Sequence, residues 1–266
     1  LTRQRRNSQT LSRKLSMDKK PKIFVATPMY GGMCTGTYAI NLTSTPAVLG
    51  QNGIEMNYSM MLNESLITRA RNRLAHDFLN SDCTHLMFID ADISWQPYDI
   101  VQMVRANVDV ICGVYPKKEI NWHEVHAAVL RGVTAEKLHE YTGSFVVNTI
   151  GKKDATGRID QPIEIEKGGT GFMLIQRKVI SKLTEVAPKY SNDMFTVVNP
   201  QDVGTLIANI FDTSISPDDN RYLSEDYHFC DLARENGFRI WAAPWARLTH
   251  TGTYIFSGGL TRSDRQ

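Results

Sequence analysis

The sequence has no long apolar run, no closely spaced cysteines and little net charge, and each absence removes a class of protein. Apolar stretches such as Ile23–Ala26 and Leu86–Ile89 fall far short of the roughly 20 residues that a membrane-crossing helix requires. No membrane span is expected. The four cysteines, Cys34, Cys83, Cys112 and Cys230, stand far apart with no CxxC pair, which argues against a structural zinc site or a disulfide framework and fits a reducing cytoplasm. The formal charge is only +2, and it is uneven. Seven of the 30 basic residues but one of the 28 acidic ones fall in the first twenty positions, leaving 23 against 27 in the rest. A mildly acidic body of this kind does not offer a broad nucleic-acid-binding face.

What remains is ordinary globular composition: 266 residues, 42% apolar and 22% charged, enough to bury one large core. Residues 1–20 read as a basic, disordered tail or leader around Met17, without the apolar stretch of about 7 to 15 residues that marks a secretory signal. Residues 21–256 read as a single catalytic domain and 257–266 as a C-terminal tail. No repeat or linker divides the chain.

Short β-branched and aromatic runs predict buried strands at Lys22–Thr27, Thr84–Asp90, Val108–Val114, Phe172–Gln176 and Ile240–Ala243. Apolar positions four apart, at Leu62, Leu66, Ala70, Leu74 and Phe78, predict an amphipathic helix over Leu62–Leu79, with Arg69, Arg71 and Arg73 interleaved. Further helices are expected at Pro97–Ala106, at Lys178–Val186 and at Ser224–Asn236, the last with an N-cap serine, two first-turn acids and a glycine stop. Strand and helix alternate, so the fold class is α/β: a Rossmann-like, mostly parallel sheet flanked by helices. Tyr115–Glu166 is expected to add loops and a small extra β region.

The most informative motif is Asp90-Ala91-Asp92, directly after the apolar run LMFI. Ligands of open α/β sheets lie beyond the carboxyl ends of strands, and two hard oxygen donors there suit Mg²⁺ or Mn²⁺, which can bridge and neutralise a diphosphate. Acidic residues also follow strands in plain turns; context distinguishes the two.

That context resembles the GT-A nucleotide-sugar glycosyltransferases. The matching segments, in order, are FVATPMYGG, Ile67–Asn72, Asp90–Asp92, Gly168–Phe172, Ser224-Glu225-Asp226 and His250-Thr251-Gly252. The pairing of ITRARN with FIDAD is also similar to fungal mannan-polymerase-type subunits and to glycosyltransferase-like phage proteins. The resemblance implies a metal-dependent transfer of sugar from a nucleotide diphosphate sugar to an acceptor hydroxyl. The acceptor would be a glycan or a hydroxymethylated phage DNA base, and a viral enzyme would work in the host cytoplasm.

It also implies roles for residues. Thr27, Pro28 and Tyr30 match the loop that holds base and ribose, with Tyr30 offering a flat apolar face. Arg69 or Arg71 would meet the diphosphate, the other being a solvated helix face. Gly169 and Thr170 would let the backbone approach the sugar. Asp90 and Asp92 would serve the metal with His250, an imidazole that favours Mn²⁺ over Mg²⁺. Asp226 matches the base of inverting members, with Glu225 orienting the acceptor or capping the helix. Acids at a helix start also stabilise its dipole by about 0.3–1 kcal/mol without catalysis.

Trp95, Trp122 and Trp241 are candidates for a sugar platform. His123, Glu124 and His126 resemble a metal cluster without a third ligand of known spacing. Two other classes compete: a metal-dependent nucleotidyltransferase, which would usually carry a basic residue in a loop such as Tyr30–Met33, and a non-catalytic sugar-nucleotide-binding module.

Overall fold

A computed structural model describes residues 20–145, 147–150, 160–193 and 202–254; of the two expected tails, 1–20 and 257–266, all but residue 20 lies outside the described residues. Chain order runs β1 (Lys22–Met29), α1 (Gly36–Gln51), β2 (Glu55–Leu62), α2 (Ile67–Leu79), β3 (His85–Ile89), β4 (Ile93–Ser94), α3 (Pro97–Ala106) and β5 (Val110–Gly113). It continues through α4 (Trp122–Leu130), β6 (Val147–Thr149), β7 (Ile163–Gly168), β8 (Phe172–Gln176), α5 (Arg177–Val186), β9 (Lys189–Ser191) and β10 (Leu206–Ala208). It closes with β11 (Ser214–Ile215), β12 (Tyr222–Leu223), α6 (Glu225–Glu235), β13 (Ile240–Ala243) and β14 (Thr249–His250).

Eight strands form one sheet in the order β2-β1-β3-β8-β5-β13-β7-β6. β8 and β7 run against their neighbours and the other strands share one direction, so the sheet is mostly parallel, as expected. The central strands are buried on both faces and their side chains alternate between two cores. Phe24, Ala26, Leu86, Phe88, Met173 and Ile175 join Leu74 and Phe78 of α2, Ile180 and Leu183 of α5 and Phe229 of α6. Ile23, Val25, Met87, Ile89, Phe172 and Leu174 join Tyr38 and Leu49 of α1 and Ile100, Val101 and Val104 of α3. The result is a helix–sheet–helix sandwich. Among the described residues no helix is long and apolar enough to cross a membrane.

Several elements depart from the sequence reading. α1 and β2 were not anticipated, and the helix expected from Leu62 starts only at Ile67. Leu62 is the last residue of β2, Asn63 takes a left-handed φ of 59° that turns the chain, and Leu66 is the N-cap of α2. The small β region expected between residues 115 and 166 instead supplies the far edge of the main sheet, β6 and β7, preceded by α4. Two-stranded ladders stand elsewhere, including β14 against β4, which brings His250 opposite Ile93.

Candidate active site

The fold sets the carboxyl ends of β1 and β3 beside the first residues of β8. Phe172 pairs with Ile89, so the turn before β8 meets the residue after β3: the Asp90 amide donates to the Gly171 carbonyl at 2.9 Å. Gly171 is required there, because a Cβ would stand 2.7 Å from the Tyr115 hydroxyl and 3.0 Å from Asp90 Oδ2. The Gly171 amide donates to that hydroxyl at 3.0 Å. Burial first, then the charge of Asp90, push the ionisation of Tyr115 up, so it remains a neutral phenol.

Arg71 reaches in from α2 with its side chain 3% exposed. Its Nη2 donates to Asp90 Oδ1 at 3.0 Å and its Nε to Glu225 Oε1 at 3.1 Å, while the guanidinium lies 5.2 Å over the Phe88 ring. Burial opposes its charge, but Asp90 and Glu225 outweigh that and its pKa is raised. One arginine thus ties α2, β3 and α6 together. Its Nη1 is buried without a hydrogen-bond partner.

Asp92 is held from two sides. His250 Nε2 stands 3.3 Å from Oδ1, and Lys118 Nζ makes a close ion pair with Oδ2. Burial would raise the Asp92 pKa, yet hydrogen bonds from His250 and Lys118 prevail and bring it down to about 2. His250 Nδ1 lies 2.9 Å from the Pro116 carbonyl, which can only accept. Nδ1 therefore carries a hydrogen and Nε2 is the nitrogen turned toward Asp92, an arrangement that orients an imidazole for ligation. The Thr251 amide donates to the Asp92 carbonyl at 2.9 Å, and the Tyr115 ring meets His250 edge-on at 5.4 Å.

A cavity of about 490 Å³ opens on this cluster, lined by Pro28, Tyr30, Asp90, Asp92, Lys118 and His250 among others. Tyr30 is 72% exposed, which leaves its ring face free for a flat ligand. It sits on a tight turn in which Gly31 and Gly32 take left-handed φ of 72° and 67°, accessible at little cost only to glycine.

At the start of α6, Asp226 Oδ1 accepts from the Ser224 hydroxyl and from the Tyr227 amide at 2.8 Å. Ser224 is the N-cap by position, but its hydroxyl bonds this side chain instead of the helix backbone. Burial chiefly, with the neighbouring Glu225 adding, raises the Asp226 pKa against the opposing pulls of Ser224 and Arg71. The two acids are therefore unlike: Glu225 is ion-paired with Arg71, whereas among the described residues Asp226 forms no ion pair and its pKa is raised.

Arg71, Glu225 and Asp226 adjoin Asp90 without lining that cavity, and the other sequence-derived candidates stand apart from it. Thr27 is buried and shares a 2.6 Å hydrogen bond with the Tyr38 hydroxyl. Arg69 is engaged in a fork on Glu64, at 2.7 and 3.0 Å, and neither it nor Arg71 is a solvated face. Gly169 and Thr170 are buried behind Gly171 and do not line the cavity. Trp95 is buried, its indole donating to Thr45 at 3.0 Å, and Trp241 packs against the core; Trp122 is exposed. Glu124 pairs with Arg131, and among the described residues no three His, Cys, Asp or Glu side chains gather closely enough to hold a metal. What the cavity has is a two-donor set, Asp92 with His250, beside an Asp90 held by Arg71. Sequence reasoning missed Tyr115 and Lys118, which lie in a segment without periodicity.

No protein-family model matches the chain, and no curated protein does. Solved structures resemble it. A197 from STIV is 17% identical with a TM-score of 0.48, over 88% of this chain and 86% of that one. GalNAc-T7, solved with UDP, GalNAc and Mn²⁺, is 8% identical with a TM-score of 0.45, over 86% and 43%. TarS of S. aureus is 10% identical with a TM-score of 0.38, over 83% and 35%. The chain spans less than half the length of the latter two, which are glycosyltransferases. Likeness at this level does not carry their chemistry to this chain.

Proposed function

We propose that the chain is a GT-A-type glycosyltransferase that moves a sugar from a nucleotide diphosphate sugar to an acceptor hydroxyl with inversion. The observation that carries this reading is the approach of His250 Nε2 to Asp92 at 3.3 Å, together with an Asp226 of raised pKa whose neighbour Glu225 is joined through Arg71 to Asp90.

Asp92 and His250 would be the residues to hold a divalent cation such as Mg²⁺ or Mn²⁺, and the imidazole would favour Mn²⁺. Such a cation, when bound, supplies charge neutralisation for the departing diphosphate. The chain's own residues do the rest. Tyr30 presents a ring to the base, and Pro28 walls the cavity beside it. Arg71 fixes Asp90 and Glu225 as a rigid frame and is not itself a diphosphate ligand. Asp226 takes the proton of the acceptor hydroxyl as its oxygen bonds to the anomeric carbon and the carbon–diphosphate bond breaks.

Incubation with UDP- and GDP-sugars, Mn²⁺, and either a glycan or hydroxymethylated DNA tests this reading. It predicts release of nucleoside diphosphate and a product of inverted anomeric configuration by NMR. Release of pyrophosphate from a nucleoside triphosphate and a sugar phosphate would favour a nucleotidyltransferase instead.

A further inference from the structure

Lys118 lines the cavity, and none of the proposed steps uses it. Its ammonium pairs with Asp92 Oδ2 while Oδ1 faces His250, so it occupies the carboxylate from the side opposite the imidazole. Its stem lies against Gly252: a Cβ there would stand 2.9 Å from Lys118 Cδ, 3.0 Å from Cγ and 3.2 Å from Cβ. The glycine has an unremarkable φ, so its absent side chain provides room for the lysine and not a special backbone turn.

The backbone around Lys118 is fixed. The Lys117 amide donates to the Ser144 carbonyl at 2.7 Å, the Asn121 amide to the Thr142 carbonyl at 2.8 Å, and the Pro116 carbonyl receives His250 Nδ1. Movement of the ammonium is therefore movement of a side chain on a fixed pivot. The side chain is 42% exposed and has four rotatable carbons for it.

We propose that Lys118 is an exchangeable counter-ion for Asp92: it neutralises the carboxylate before metal binds, and passes to the donor's diphosphate when a divalent cation takes Asp92. The proposal rests on the reading of Asp92 as a metal ligand. An ammonium and a divalent cation cannot share Oδ2, because like charges a few ångströms apart repel strongly in a partly desolvated site. Displaced, the ammonium stays in the same cavity, where the arriving polyanion is its natural partner. A diphosphate so bound has positive charge on two sides, from the cation and from Lys118, and Lys118 links metal binding to donor binding.

Mn²⁺ affinity, read from the EPR signal of free Mn²⁺, tests this in the wild type and in Lys118→Met, Gly252→Ala and Asp92→Asn, each checked for native circular dichroism. Lys118→Met should bind Mn²⁺ about tenfold more tightly, and bind inorganic pyrophosphate in the presence of Mn²⁺ about tenfold more weakly, the scale of one hydrogen bond to a charged group. Gly252→Ala, which changes no charge but crowds the stem, should shift Mn²⁺ affinity the same way by less. Equal Mn²⁺ affinity in wild type and Lys118→Met overturns the exchange. Wild-type Mn²⁺ affinity in Asp92→Asn overturns instead the assignment of Asp92 to the metal, and separates the two failures.

Discussion

Arg71→Met isolates the element on which the geometry of the site depends. Methionine keeps most of the stem over Phe88 and removes only the guanidinium, leaving Asp90 and Glu225 without the cation now 3.0 and 3.1 Å away. Removing one partner of a buried ion pair costs about 3–5 kcal/mol, because the remaining charge is uncompensated. Asp90 is 29% exposed and Glu225 13%, so water recovers part of the loss and the expected cost is near the lower end, about 3 kcal/mol. For a chain of this size that corresponds to a fall of about 6–12 °C in Tm. Urea unfolding followed by circular dichroism measures it. Asp90→Asn and Glu225→Gln added to Arg71→Met should restore most of the stability without restoring activity, since the cost lies in the uncompensated charge. An Arg71→Met protein within about 0.5 kcal/mol of wild type, the range of an inconsequential surface change, would refute the argument.

Asp226→Asn should lower transfer by about 10²–10⁴-fold while leaving donor affinity near normal, since only the proton acceptor is removed; Glu225→Gln should act through stability, by releasing Arg71. Turnover and calorimetry on both variants separate the roles, and a fully active Asp226→Asn enzyme would place the base elsewhere. Gly171→Ala should cost about 1–3 kcal/mol by overpacking against Tyr115 and Asp90, read from chemical denaturation. His85 gives a pH signature: burial depresses its pKa to about 4, against about 6.5 unfolded. Its contribution is full above pH 6.5 and is lost as pH falls toward 4, amounting to up to about 3 kcal/mol. His85→Gln should flatten that limb of the stability profile.

The sequence exposed the central strands because burial on both faces leaves unbroken apolar runs, and it exposed Asp90 and Asp92 because they end one of them. α1 escaped notice because its sixteen residues include no charged side chain and carry Pro46 in the interior, so no polar face marks the helical period. β2 escaped because it is an edge strand with Tyr58, Met60 and Leu62 exposed, the reverse of the expected pattern. Leu62 and Leu66 continued the fourfold spacing of α2 by coincidence, and only the left-handed Asn63 separates them from it. The three arginines of α2 were indistinguishable in sequence. Arg71 and Arg73 are both buried on acids from distant segments, Arg73 on Asp202, and such pairing depends on tertiary contacts that no local spacing encodes. Lys118 lies beside Asp92 for the same reason.

The central claim is that Asp92 and His250 bind a divalent cation that the donor needs. Calorimetric titration of the responsive nucleotide diphosphate sugar into wild type and Asp92→Asn, with Mn²⁺ and with a chelator, tests it most directly. The account predicts binding to the wild type with Mn²⁺ alone, and loss of that binding in Asp92→Asn while circular dichroism stays native. Equal affinity for the donor in chelator, or in Asp92→Asn, would contradict it.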